Sequence, residues 1–173
     1  MSARNCGDCT LCCKLIPVPE LGKLAGVRCQ HQSRKGCSIY PRRPLSCVAW
    51  SCRWLVGDDT ADQSRPDRSR CVIDMMPDFV TIEDKETGER KNVEAVQIWC
   101  DPKTPNAWRD EHVLDYIERR AAEGKLTLVR FGSKEAITVF APAMSHGQGW
   151  GYVRGERLGR GHTAAEIAQA LRT

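Results

Sequence analysis

The crowding of cysteines near the amino terminus is the strongest constraint on this chain. Eight of its ten cysteines fall within the first 52 residues, and four of these lie between positions 6 and 13. Neither core packing nor disulfides between neighbours accounts for so dense a run, whereas thiolates at these spacings bind metal ions. We therefore predict that the segment is a cysteine-ligated metal-binding module.

The densest motif is C-x2-C-x2-C-C. Gaps of two residues let a single turn aim successive thiolates at one ion, and a bound metal lowers the thiol pKa enough to keep them ionised at neutral pH. Gly7 gives the backbone the freedom to curl around the ion. With the cysteines downstream, the predicted metal ligands are Cys6, Cys9, Cys12, Cys13, Cys29, Cys37, Cys47 and Cys52.

The spacing alone does not assign these thiols to sites. Eight thiols are enough for two four-coordinate sites, or for one site with several cysteines left for structure. The adjacent Cys12 and Cys13 point in different directions, so they can serve two separate sites, or one site and the core. His31 lies close to Cys29 and could replace a thiolate, although an exposed loop histidine is the simpler interpretation.

The identity of the metal stays open between zinc and iron. Three thiolates in one C-x2-C-x2-C loop with a remote fourth cysteine are how ferredoxins hold a [4Fe-4S] cluster. Structural zinc, however, accepts any closed set of four thiolates. The sequence does not choose between them.

A second motif follows in the same segment, Cys37-Ser-Ile-Tyr-Pro-Arg-Arg-Pro-Leu-Ser-Cys47. We expect the ring of Tyr40 to pack beside the metal loop, and Arg43 to donate to backbone carbonyls or thiolate sulfur. In order and spacing the two motifs resemble those of the YkgJ-like family of zinc- or iron-chelating cysteine-cluster proteins. The resemblance covers residues 6 to 53 and implies metal chelation through these cysteines, without a reaction.

The rest of the chain predicts an α+β protein in which residues 1–57 form the metal module and residues 58–173 pack against it. Alternating apolar positions predict a hairpin over 78–83 and 93–100 and two further strands, 126–131 and 136–140, in an antiparallel sheet. Helical spacing predicts one long helix over 106–123, and a capping box at Thr163 predicts a short terminal helix. Residues 56–67 read as a polar surface loop.

Two residue types outside the cluster needed an interpretation. Cys71 and Cys100 lie apart from the other cysteines; buried free thiols are the simpler interpretation and additional metal ligands the alternative. The five tryptophans favour core packing and cover for the metal loop over a ligand platform.

The charges are divided unevenly along the chain. Residues 1–57 carry nine Lys or Arg against two acidic residues, whereas the remainder carries seventeen against twenty. Cations near metal-bound thiolates offset their negative charge, an interpretation we favour over nucleic-acid binding because aromatic residues do not alternate with the basic ones. A protein partner for the basic face is the other candidate.

The start of the chain lacks an apolar signal region, and no run approaches a membrane span, so we expect a cytoplasmic protein without a membrane partner. Thiols stay reduced in that compartment and are free to bind metal. The function we predict is a metal-binding protein whose metal is mainly structural or supports a partner-binding face. The alternative is an iron-sulfur redox or substrate-handling enzyme, and the sequence leaves enzyme status open.

Overall fold

A computed structural model describes residues 4–83, 87–131, 135–144 and 149–155. The cysteine-rich segment contains short elements, and the longer ones follow it. Its helices are α1 (Cys12–Leu15), α2 (Leu45–Ala49) and α3 (Arg53–Val56), and its hairpin pairs β1 (Gln32–Ser33) with β2 (Gly36–Cys37). Then come α4 (Pro66–Ser69), β3 (Cys71–Glu83), β4 (Arg90–Cys100), α5 (Glu111–Ala122), β5 (Leu126–Phe131), β6 (Glu135–Phe140) and β7 (Gly151–Gly155).

The five longer strands form one sheet in the order β3-β4-β5-β6-β7. The predicted α+β class is confirmed, and the predicted hairpin, the next two strands and the long helix are all present. The sheet is mixed, however, because β4 and β5 run parallel where antiparallel pairing was expected. The reason is that α5 lies between them in the chain and returns it to the same end of the sheet, as parallel strands require.

Helix α5 begins at Glu111, later than the predicted start at 106, after a separate 3-10 turn over Ala107–Arg109. The side chain of Asp110, its cap, accepts a hydrogen bond from the backbone N–H of His112. The helix ends just before Gly124, which takes a positive φ of 77° after the last turn. One stripe of the helix, including Val113, Tyr116 and Ile117, is buried against the sheet. This amphipathic pattern explains why spacing alone located the helix.

The cysteine-rich segment and α5 cover opposite faces of the sheet. Side chains alternate along a strand, so neighbours point to different faces. Ile73 and Ile98 belong to the cluster under α5, whereas Val72 and Trp99 pack with Leu11 from the cysteine-rich segment. The sheet is therefore a central layer that carries the cysteine-rich segment on one side.

The predicted surface loop at 56–67 is packed more closely than expected. Thr60 is buried, and its hydroxyl lies 2.9 Å from the carbonyl oxygens of both Arg53 and Gly57, so it can donate to either. Asp59 accepts a hydrogen bond from the hydroxyl of Tyr116 on α5 at 3.0 Å and pairs with Arg120 at 3.1 Å. Polar composition predicted solvent exposure here, but Thr60 bonds to neighbouring carbonyls and Asp59 bonds to α5.

Two further predictions concern a short terminal helix and membrane-spanning segments. The short terminal helix predicted from Thr163 lies outside the described residues. In the part of the chain that is described, no helix has the length and apolar run that crossing a bilayer requires.

Candidate metal centre

The first C-x2-C loop curls as its spacing predicts. The backbone N–H of Cys9 donates to the carbonyl of Cys6 at 2.8 Å, closing the turn. Gly7 within it has a φ of 54°, which side-chain-bearing residues rarely adopt. Cys12 and Cys13 then begin α1, and Leu15 of this helix is fully buried in the cluster on the sheet.

The distant cysteines are brought back to this loop by backbone contacts and helices. Cys29 donates its N–H to the carbonyl of Cys13 at 3.0 Å, which fixes the two residues side by side. Cys37 ends the small hairpin, Cys47 lies in α2, and Cys52 precedes α3. Elements that are far apart in sequence thus converge at one place.

Seven of the eight predicted ligands line one apolar cavity of about 180 Å³, whereas Cys9 packs in the neighbouring cluster with Cys12. His31 also lines this cavity. All eight cysteines are free thiols, and so are Cys71 and Cys100. The thiols line the cavity without converging on one point: within the described residues, no three His, Cys, Asp or Glu side chains stand as a ready-made metal site.

The electrostatic neighbours of the thiols divide them into two sets. Burial raises the pKa of Cys47, and the charges of Cys13, Cys29 and Cys37 raise it further. Burial likewise raises the pKa of Cys52, with Cys6 and Cys9 as its sulfur neighbours. We call Cys13, Cys29, Cys37 and Cys47 the inner set, and Cys6, Cys9, Cys12 and Cys52 the outer set.

Adjacent Cys12 and Cys13 are the point where the two sets meet. A hydrogen bond between their thiols raises the pKa of Cys12, and burial, Cys52 and Cys9 raise it further. The same hydrogen bond lowers the pKa of Cys13, and the charge of Lys23 lowers it too. Cys12 therefore has its other sulfur neighbours in the outer set, whereas Cys13 lies with the inner set beside Lys23.

Lys23 is a buried cation beside the inner set, and no pattern in the sequence indicated its role. Its side chain is 8% exposed, and its amine donates to the carbonyls of Lys14, Ile16 and Leu24. Burial lowers the pKa of this amine, while its anionic neighbours, all thiols, act in the opposite direction: Cys29, Cys13, Cys12 and Cys47. Within the described residues, Lys23 forms no ion pair with a carboxylate.

The second motif supports the inner set much as expected. Arg43 donates to the carbonyls of Tyr40 at 3.1 Å and Cys47 at 3.3 Å, which confirms the prediction that it bonds to backbone. Its guanidinium carbon stacks 3.9 Å from the centre of the Tyr40 ring, and that ring is 60% exposed. The motif therefore fixes the position of Cys47 through its backbone.

Asp74 is a site residue that sequence reasoning missed. This buried carboxylate of β3 accepts hydrogen bonds from the ring N–H of Trp50 at 2.8 Å, that of Trp99 at 3.1 Å, and the amide of Gln97 at 3.2 Å. Trp50 in turn lines the cysteine cavity. Asp74 thus connects one wall of the cavity to the sheet. In the sequence, a single acidic residue within an apolar run was the feature that could have indicated it.

Replacing Asp74 by alanine is expected to lower the free energy of unfolding by about 2–4 kcal/mol, because three buried N–H donors lose their acceptor. Asp78→Ala on the same strand is the matched control. Asp78 is exposed, and among the described residues its side chain accepts one hydrogen bond, from the adjacent N–H of Phe79, so its loss is expected to change stability by about 0.5 kcal/mol or less. Denaturant unfolding of the two variants measures the difference, and equal effects would contradict the anchoring role.

Four of the five tryptophans and the two remaining cysteines agree with the simpler interpretations. Trp99 and Trp108 are buried, and Trp50 and Trp54 pack beside Cys9 and Cys12, whereas Trp150 is 40% exposed and does not fit core packing. Cys71 and Cys100 are buried free thiols directly opposite each other on β3 and β4, with their sulfur atoms 3.5 Å apart. Both belong to the cluster under α5, on the far side of the sheet from the cavity.

The resemblance to the cysteine-cluster family rests on the two motifs, because the chain matches no protein-family model, no curated protein and no solved structure.

Proposed function

We propose that this chain is a metal-binding protein of the YkgJ-like cysteine-cluster type, in which eight thiolates form two four-coordinate centres. The inner set would supply one centre and the outer set the other. Four thiolates are a complete ligand shell for structural zinc, and also for one iron-sulfur cluster. Domain 1–57 is then the metal-binding module, with residues 58–173 as its support.

The observation that carries the proposal is the buried charge of Lys23. A buried ammonium group is stable only if it is paired or fully hydrogen-bonded. The three carbonyls satisfy its N–H groups but carry no net charge, and the anionic groups that act on this amine are thiols of the cavity: Cys29, Cys13, Cys12 and Cys47. Thiols this close together remain ionised at neutral pH when a metal binds them.

The cysteines also fit two four-coordinate centres in the type and the number of their donor atoms. The eight cysteines form no disulfides, seven of them line a shared cavity, and all eight divide evenly between two groups of neighbours. Forming the centres requires the thiols to turn from the cavity wall toward two points. Such adjustment is ordinary in small metal modules, where metal binding and folding are one equilibrium.

Elemental analysis of protein purified without oxygen tests the proposal directly. We expect two equivalents of zinc per chain in a colourless protein. Brown protein with acid-labile sulfide would instead support the iron-sulfur redox or substrate-handling alternative. A folded protein without stoichiometric metal, even after incubation with zinc or iron, would refute both.

A further inference from the structure

The two sets of thiols lie in opposite electrostatic surroundings. Lys23 contributes a buried positive charge to the inner set, and Arg43 contributes another beside Cys47. Among the described residues, neither cation pairs with a carboxylate. Four thiolates around a divalent ion keep a net negative charge, which nearby cations offset. The inner set is therefore the better compensated of the two.

Two carboxylates lie near Cys9 of the outer set. The cation beside them is Arg65, which pairs with Asp67 at 2.7 Å and with Asp8 at 2.8 Å. One cation is thus shared between two carboxylates, of which Asp8 adjoins Cys9 in the chain. Negative charge near a thiolate site opposes further thiolate formation. Of the outer set, Cys12 is the thiol that also neighbours Lys23, so the outer set has less compensation than the inner set.

One ligand position of the outer set, Cys6, also differs in access to solvent, although Cys52 of the same set is buried. Cys6 of the outer set is exposed, whereas the inner thiols are all partly buried. Cys6 lies at the start of the described chain, where the segment is held to α3 and its flank by Arg4, which donates to the carbonyls of Trp54 and Thr60. An exposed ligand can leave and be replaced by a competing thiol without opening the cavity.

We propose that the two centres are inequivalent: the inner centre, beside Lys23, retains its metal, and the outer centre, which includes exposed Cys6, is the one that exchanges metal with thiol-containing molecules in solution. This inference rests on the proposed function. It gives the two centres different roles, one holding the fold and the other serving as an exchangeable store of a soft divalent ion. Lys23 is a positioning residue in this scheme because it contacts no metal.

Competition between zinc-loaded protein and a chromophoric chelator measures the inequivalence. Wild-type protein is expected to release one equivalent readily and the second only at much higher chelator concentration. Cys6→Ser should abolish the readily released equivalent and leave the other in place. This result would assign the first step of zinc release to the outer centre and the second to the inner centre. Release of both equivalents together from the wild type would overturn the inference while leaving the proposed function intact; absence of bound zinc would refute the proposed function itself.

Substitution of Lys23 tests the cause. Lys23→Met is expected to weaken the binding of the retained zinc equivalent by about 10- to 100-fold, the usual effect of removing a group that supports metal ligands. The affinity for the exchangeable equivalent should be unchanged. Lys23→Arg keeps the charge and should preserve most of the affinity. Lys125→Met removes a lysine that pairs with Glu94 at 3.2 Å on the sheet and should change neither phase. Equal affinities in Lys23→Met and the wild type would contradict the role of Lys23.

A second variant tests the same idea without altering the carbonyl contacts of Lys23. Asp67→Asn removes one negative charge near Cys9 while leaving Arg65 its contact with Asp8. We expect the exchangeable equivalent to bind roughly fivefold more tightly, as the loss of one nearby like charge predicts. Unchanged or weaker binding of that equivalent would count against the electrostatic explanation.

Discussion

Removing metal from the purified protein with a strong chelator is expected to unfold residues 4–57 while the sheet and α5 stay folded. Only five hydrophobic side chains are buried in that segment, and its helices span four or five residues each: the buried residues are Leu11, Leu15, Val18, Ala25 and Cys52. Structural zinc contributes about 10–16 kcal/mol to small modules at neutral pH. This small apolar cluster cannot replace so large a contribution to the free energy of folding.

Hydrogen exchange read by mass spectrometry resolves the effect by region. We expect peptides from residues 11–56 to lose their protection in the chelated protein, and peptides from β4, α5 and β5 to keep theirs. Trypsin gives a second reading, because Arg34, Lys35 and Arg42 are exposed in the cysteine-rich segment and become readily cleaved when it unfolds. Zinc added back to the chelated protein should restore both kinds of protection.

Protection that stayed unchanged after complete chelation would show that the segment folds without metal. The contacts with the sheet would then have to be sufficient, among them the ion pair of Lys14 with Asp101 at 2.6 Å and the packing of Leu11 against Val72 and Trp99. Partial loss confined to residues 4–10 would instead indicate that only the outer centre orders the chain.

Local sequence patterns predicted the elements of the back half because the apolar residues of each one repeat with a single period, that of a helix or that of a strand. Helix α5 has apolar residues on one face and an acidic cap, and β5 and β6 are short β-branched runs. The first half of β3, from Cys71 to Met76, was missed. Its residues face the α5 core and the cysteine-rich segment in turn, so both of its faces are buried and the alternation disappears.

The candidate site was predictable in its ligands but not in its surroundings. Spacing identifies which cysteines can act together, and it predicted that Cys12 and Cys13 could serve separate sites. The division into inner and outer sets depends on how α2, the hairpin and the first loop meet, which no local pattern records. Lys23 and Asp74 are single polar residues in apolar stretches, and their partners are distant in sequence: thiols for one, tryptophans for the other.

Single serine substitutions are expected to separate ligands from structural cysteines most clearly. Cys47→Ser removes a thiolate from the inner set and Cys9→Ser one from the outer set, and each should lose the metal of its own centre together with solubility. A hydroxyl is a poor replacement because it stays protonated at neutral pH and cannot supply the negative charge of a thiolate. Metal content after gel filtration, set against the soluble fraction, measures both effects.

Cys100→Ser is the matched control, since it makes the same chemical change at a cysteine on the other face of the sheet. Its buried hydroxyl is expected to cost about 1–3 kcal/mol of stability, because the apolar cluster around it offers little beyond the thiol of Cys71 as a hydrogen-bond partner. It should nevertheless keep both equivalents of metal. Full metal content in the Cys9 and Cys47 variants would refute the ligand assignment, whereas loss of metal in all three would mean that stability, and not coordination, controls the result. Only the opposite pattern, metal lost without a large loss of stability in the rest of the fold, identifies a thiol as a ligand.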